Sequence, residues 1–129
     1  MNLHHISLKT KRLKTLYEFY MTYFCCSVGH KFVNSSDECY GYMLNFKGAG
    51  VLELLQLDKS IELCDITKKS FHFCVHVENL DDFLKIMPKK YLYSPPKQGR
   101  TDFVYQVMLV DPDGNLIEVH EEKVLRRVD

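Results

Sequence analysis

Four side chains in this chain have the types and spacing to hold one divalent cation: His5, Glu53, His72 and Glu118. His5 precedes Glu53 by 48 residues, and His72 precedes Glu118 by 46. Each acid sits in a short apolar run, Val51-Leu-Glu53-Leu-Leu55 and Asn115-Leu-Ile-Glu118-Val119. A Glu in such a run is rarely buried unless it is paired or metal-bound. Nitrogen and oxygen donors in equal number suit Ni, Zn, Co or Mn. Four protein ligands leave two positions on an octahedral ion, enough for two neighbouring substrate oxygens. A cation there acts as a Lewis acid towards those oxygens. A carboxylate at the site, Glu118 or Glu53, is the natural base. Taken singly, each residue also has a plain structural reading: a satisfied strand His, or a Glu on the open side of an edge strand.

The elements that must position these donors recur. Sliding the sequence by 67 positions lays Leu3-His-His-Ile-Ser-Leu8 on Ser70-Phe-His-Phe-Cys-Val75, so that His5 falls on His72, Leu13 on Leu80 and Leu16 on Phe83. Residues 2–9 alternate as a strand with one apolar side. His5 is then on the opposite face from Ile6 and Leu8, and His4, of the other parity, is not expected to bind metal. Apolar residues at 13, 16, 17, 19, 20, 23 and 24 describe an amphipathic helix. Tyr17, Phe19 and Tyr20 read as its packing against a sheet, and Cys25-Cys26 as core or near-core thiols. Further strands are expected over 29–33, 40–46 and 51–57, separated by Asn34-Ser-Ser-Asp37 and Lys47-Gly-Ala-Gly50.

The second half repeats the order. A strand is expected over 71–77, and a helix over 80–87 capped by Asn79, with Asp81 and Asp82 in its first turn. Short strands follow at 91–93, before Pro95-Pro96, and at 103–110 and 116–120. The last two are joined by the turn Asp111-Pro-Asp-Gly114. The fold class is therefore α+β, two βαβββ modules; if each module bends its sheet into a cup, the four candidate ligands project towards one point. Module 1 covers about residues 1–57, a linker 58–69, module 2 about 70–121, and a charged tail 122–129. By parity His72 shares a face with Cys74 and His76, and Glu118 with Leu116 and His120. His76 and His120 read as groups behind the ligands at most.

Composition narrows the function. At 129 residues, 46% apolar and 26% charged, this is one ordinary globular domain. Seventeen basic and seventeen acidic side chains cancel. The chain therefore carries no electrostatic footprint for nucleic acid or an anionic membrane. No apolar stretch approaches the ~20 residues of a membrane span. The five Cys have no paired-ligand spacing and the N-terminus is not a secretory signal, so they read as reduced, mostly buried thiols of a cytoplasmic protein.

These motifs resemble the vicinal oxygen chelate superfamily, over roughly residues 2–121. The group includes glyoxalase I, methylmalonyl-CoA epimerase, extradiol dioxygenases and the fosfomycin- and bleomycin-resistance proteins. The likeness lies in Leu3-His-His-Ile-Ser-Leu8, Leu16-Tyr-Glu-Phe-Tyr20, Leu52-Glu-Leu54, Phe71-His-Phe-Cys-Val75 and Asp111-Pro-Asp-Gly-Asn-Leu-Ile-Glu118. It implies paired βαβββ modules and a homodimer. It also implies His5, Glu53, His72 and Glu118 as metal ligands in the glyoxalase I pattern, whereas epimerases usually carry Gln at the second place. The implied reaction is isomerisation of the hemithioacetal of a 2-oxoaldehyde and a thiol. The alternatives are an epimerase or related proton-transfer enzyme, or a metal-free drug-binding protein of the bleomycin-resistance type. Lys9 stands where the glyoxalase motif usually shows Arg; it meets a substrate carboxylate or is a solvated strand-end lysine. Arg100, with Lys97, either grips an anionic substrate tail or is solvated. Leu57 replaces an Asn that commonly helps to hold glutathione.

Overall fold

A computed structural model describes residues 1–58, 60, 71–98 and 104–121. The chain divides into two compact units, Met1–Leu63 and Cys64–Asp129. Most of the expected linker and all of the expected tail lie outside the described residues.

Unit 1 runs β1 (Ile6–Thr10), α1 (Leu13–Tyr23), β2 (Ser27–Val33), β3 (Cys39–Asn45) and β4 (Val51–Gln56). Its sheet has the order β1-β4-β3-β2, with β1 parallel to β4 and the other pairs antiparallel. Alternation sorts the residues between the two faces. Leu8, Leu44, Leu52 and Leu54 are buried, as are Leu13, Leu16, Phe19 and Tyr20 of α1, which packs on β3 and β4. Tyr17 stacks on Tyr42 with ring centroids 4.2 Å apart. Gly41 permits a close strand approach, since a Cβ there would lie 2.7 Å from the Leu54 carbonyl oxygen. Gly50, at φ +100°, closes the β3–β4 hairpin in a conformation that other residues avoid.

Unit 2 runs β5 (His72–His76), α2 (Leu80–Ile86), a 3-10 turn (Lys89–Tyr91), β6 (Lys97–Gln98), β7 (Tyr105–Val110) and β8 (Leu116–Glu121). Its order, β5-β8-β7-β6, and its single parallel pair, β5 with β8, repeat those of unit 1. Leu80, Phe83, Met87, Val107, Leu109, Ile117 and Val119 form the buried side. The expected α+β fold of two βαβββ modules is present, each with its own four-stranded mixed sheet. The β7–β8 turn is held by the buried Asp111 carboxylate. It accepts hydrogen bonds from the Asp113 N–H (2.9 Å), the Asn115 N–H (2.9 Å) and Asn115 Nδ2 (2.8 Å).

The duplication extends to the helix starts. In unit 1 the Leu13 N–H donates to Gln56 Oε1 (3.3 Å) at the end of β4. In unit 2 the Leu80 N–H donates to Glu121 Oε2 (2.9 Å) at the end of β8. Leu13 and Leu80 are equivalent in the repeat, and so are Gln56 and Glu121. Each module thus satisfies an orphan first-turn donor with a side chain from its parallel strand. Asn79 adds the expected cap, accepting from the Asp82 N–H at 2.9 Å.

Two expectations are corrected. The strand expected over 91–93 is displaced by the 3-10 turn, in which the Tyr91 and Leu92 N–H groups donate to the Pro88 and Lys89 carbonyls (3.1 and 3.0 Å). Leu92 makes only a single bridge to Leu109. Pro95-Pro96 offers no N–H groups, so the β6 ladder forms after it. Cys25 is exposed rather than near the core. Helix α1 ends at Tyr23, and Cys25, at φ +52°, turns the chain away where helical periodicity would have carried it inward. Of the other thiols, Cys74 is exposed and Cys39 half-buried, so the described thiols are less buried than expected, and Cys64 lies outside the described residues. Cys26 is buried, and lost hydration, together with the neighbouring Cys25, pushes its thiol up to about 12.

Glu121→Gln is expected to keep the α2 cap, because Gln56 does the same work in unit 1, whereas Glu121→Ala should cost about 1 kcal/mol in urea unfolding. At mildly alkaline pH Cys25 should be alkylated well before Cys26, as read by peptide mass spectrometry, because Cys26 stays protonated and covered.

Candidate metal centre

The parallel strand pairs place the acids. In unit 1 Ser7 lies opposite Glu53, and His5 stands two residues before Ser7, just ahead of β1. Glu53 alternates with the fully buried Leu52 and Leu54, so its carboxylate projects from the face that α1 leaves uncovered. His5 Nε2 lies 3.8 Å from Glu53 Oε2, with the side chains 35% and 17% exposed. The pair is thus half-shielded, and the carboxylate can orient the imidazole. His4 also approaches: its Nδ1 lies 2.8 Å from His5 Nδ1. Strand parity separated these two rings, but both precede Ile6, where pairing with β4 begins, and alternation does not bind them there.

Unit 2 repeats the register. Cys74 lies opposite Glu118, and His72 stands two residues before Cys74, opposite Leu116. Glu118 alternates with the buried Ile117 and Val119 and is itself half-buried, while His72 is exposed. Around Glu118 the face carries donors that the ligand assignment left aside. Cys74 Sγ is 3.3 Å from His120 Nδ1. His76 lies opposite His120, with ring centroids 5.3 Å apart. Cys74, Glu118 and His120 each bring a donor atom into one group, all within 4.8 Å of one another. Parity had put Cys74, His76 and His120 on the ligand side; the signal missed was that two adjacent cross-strand pairs on one face are both built from donors.

Thus the structure brings His5 to Glu53, and Cys74 and His120 to Glu118. Lys9 is exposed on β1, opposite Leu55. Lys97 is exposed on β6, and Arg100 lies outside the described residues. The Tyr105 hydroxyl donates to Asp81 Oδ1 at 3.4 Å; lost hydration and that carboxylate raise its phenol above the ordinary value.

No family profile matches this chain, and no curated protein does. Solved structures match over nearly the whole chain. One is an integron cassette protein from the mobile metagenome of the Halifax Harbour sewage outfall: TM-score 0.69, 19% identity, 93% of this chain and 97% of that one. A second is the fosfomycin resistance protein FosX of Listeria monocytogenes, solved as a variant with Mn(II) and 1S,2S-dihydroxypropylphosphonic acid: TM-score 0.68, 16% identity, 99% and 98% coverage. A third is TnmS3, an antibiotic-binding protein from a Streptomyces species: TM-score 0.68, 15% identity, 94% and 95% coverage. The likeness is one of fold, and it is the fold that the vicinal oxygen chelate resemblance implies. The three include both a metal-binding and an antibiotic-binding protein, so function must be argued from this chain's own residues. Among the described residues, no helix is long and apolar enough to cross a membrane.

The Glu53 carboxylate projects from the face opposite the buried Leu52 and Leu54, so it is no part of the core. Glu53→Leu is expected to leave the metal-free protein within about 0.5 kcal/mol of its original stability, or above it, in urea unfolding. The same change should diminish the stabilisation gained on adding a divalent cation.

Proposed function

We propose that this chain is a divalent-metal-dependent enzyme of the vicinal oxygen chelate superfamily, with His5, Glu53, His72 and Glu118 as the ligands of its ion. The observation that carries this reading is the repeated register: in each unit a Glu emerges between buried apolar residues, opposite a residue that follows a His by two. His5 Nε2 and Glu53 Oε2, 3.8 Å apart, are close enough for both to reach one ion. Mn(II) in a protein of the same fold supports a cation of this class. When bound, the cation supplies a Lewis acid to two neighbouring substrate oxygens.

The chain's own part is to hold the substrate and move a proton. Glu118, or Glu53, takes it from the carbon beside the carbonyl and returns it to the adjacent carbon, as isomerisation of a 2-oxoaldehyde–thiol hemithioacetal requires. Lys9, exposed on β1, is the cation for an anionic substrate group, and Arg100 is assigned the same task. Leu57, in place of the Asn that commonly contacts glutathione, favours a thiol other than glutathione. We expect the working assembly to be a homodimer.

Glu118→Gln should leave a folded protein whose turnover of methylglyoxal with added thiols falls by about 100-fold or more. Mn(II), Ni(II), Co(II) or Zn(II) should raise the melting temperature of the original chain. Full turnover in Glu118→Gln would remove that residue from the mechanism. Absence of any metal effect, together with tight binding of an uncharged drug-like molecule, would support the antibiotic-binding reading that TnmS3 represents.

A further inference from the structure

We propose that the β5–β8 face carries a metal site of its own, Cys74–Glu118–His120, which takes a thiophilic divalent cation such as Zn(II) or Cd(II). Three observations carry it. The donor atoms of these residues already lie within 4.8 Å of one another, the spread of ligands around one ion. They come from two directly opposed pairs of a parallel ladder, Cys74 with Glu118 and His76 with His120, so the backbone itself holds them together. Finally, the two units, alike in fold and in the register of their His and Glu, differ at these places. The positions equivalent to Cys74, His76 and His120 are Ser7, Lys9 and Leu55 in unit 1. Unit 2 alone combines a thiol and two imidazoles on this face.

The donor set chooses the metal. One sulfur, one nitrogen and one carboxylate oxygen, with room for water or His76, match the tetrahedral preference of Zn(II), whereas Mn(II) prefers oxygen. As the sulfur–metal bond forms, the thiol gives its proton to solvent. Cys74 is exposed, and Glu118 and His120 are half-buried, so an ion reaches the site from water. One consequence rests on the function proposed above. Glu118 belongs to both donor sets, so a thiophilic ion held by Cys74 and His120 withdraws the acid from proton transfer and inhibits the enzyme.

The site is tested without reference to activity by adding Co(II) to the metal-free full-length chain and recording thiolate-to-metal charge-transfer absorption in the near ultraviolet. The band is expected in the original chain and in His5→Ala and Glu53→Gln. It should be lost in Cys74→Ser, and the Co(II) affinity of His120→Ala should fall about tenfold or more. No band in the original chain, or an undiminished band in Cys74→Ser, overturns the proposal. The regulatory consequence is tested by Cd(II) inhibition of turnover in Mn(II), which Cys74→Ala should relieve while keeping that turnover itself. Inhibition unchanged in Cys74→Ala refutes the shared role of Glu118. A chain without turnover in any metal that still shows the Cys74-dependent band would sink the proposed enzyme and leave the site standing.

Discussion

The parallel pairing of the first and last strands within each unit is the constraint on which the site depends. It sets Ser7 against Glu53 and Cys74 against Glu118, and through the two-residue period of a strand it decides what every neighbour does. Leu52, Leu54, Ile117 and Val119 go to the buried side, and the acids go to the other. A slip of one residue would exchange the faces, burying two carboxylates and exposing four aliphatic side chains. The hydrophobic pattern that stabilises the sheet is therefore also what aims the donors.

Parallel strands need a crossover, and in each unit the helix provides it. The bond from its first turn to the end of the parallel strand, Leu13 to Gln56 and Leu80 to Glu121, ties crossover to ladder at the point where the chain changes direction. It removes an unsatisfied N–H and fixes where the helix begins relative to the strand bearing the acid. One duplicated solution thus fixes the register in both halves, although their strand and helix lengths differ. The amide of Gln56 and the carboxylate of Glu121 serve alike because only an accepting oxygen is required.

Much of this was legible in the sequence, because alternation and helical spacing are direct consequences of backbone geometry. The strand bearing Glu53, the helix over Leu13–Tyr23, the Asn79 cap and the Asp111–Gly114 turn were all readable from residue type and interval. What escaped depends on local competition or on cross-strand register. The Tyr91 and Leu92 N–H groups bonded back to the Pro88 and Lys89 carbonyls, so no strand formed until after Pro95-Pro96. Cys25 left the helical period because its backbone turned left-handed. His4 approached His5 because strand parity has no hold before Ile6. The grouping of Cys74 and His120 beside Glu118 needed the register, which spacing alone does not supply.

The two halves show what a duplicated scaffold keeps and what it leaves free. The register of His and Glu along the strands and the helix tie occur twice, whereas the positions flanking the acid on its open face differ completely: Ser7, Lys9 and Leu55 against Cys74, His76 and His120. Those positions contribute nothing to the buried side, so their identity is not constrained by packing. A site residue such as Glu118 can then belong to two donor sets at once, one shared with the other unit's pattern and one peculiar to its own. In the proposed sites the metal would decide which set prevails: hard, oxygen-preferring ions favour the carboxylates, and thiophilic ions favour Cys74. On the sites proposed above, a single acid on a strongly constrained strand, bordered by unconstrained neighbours, would make metal choice a determinant of what this protein does.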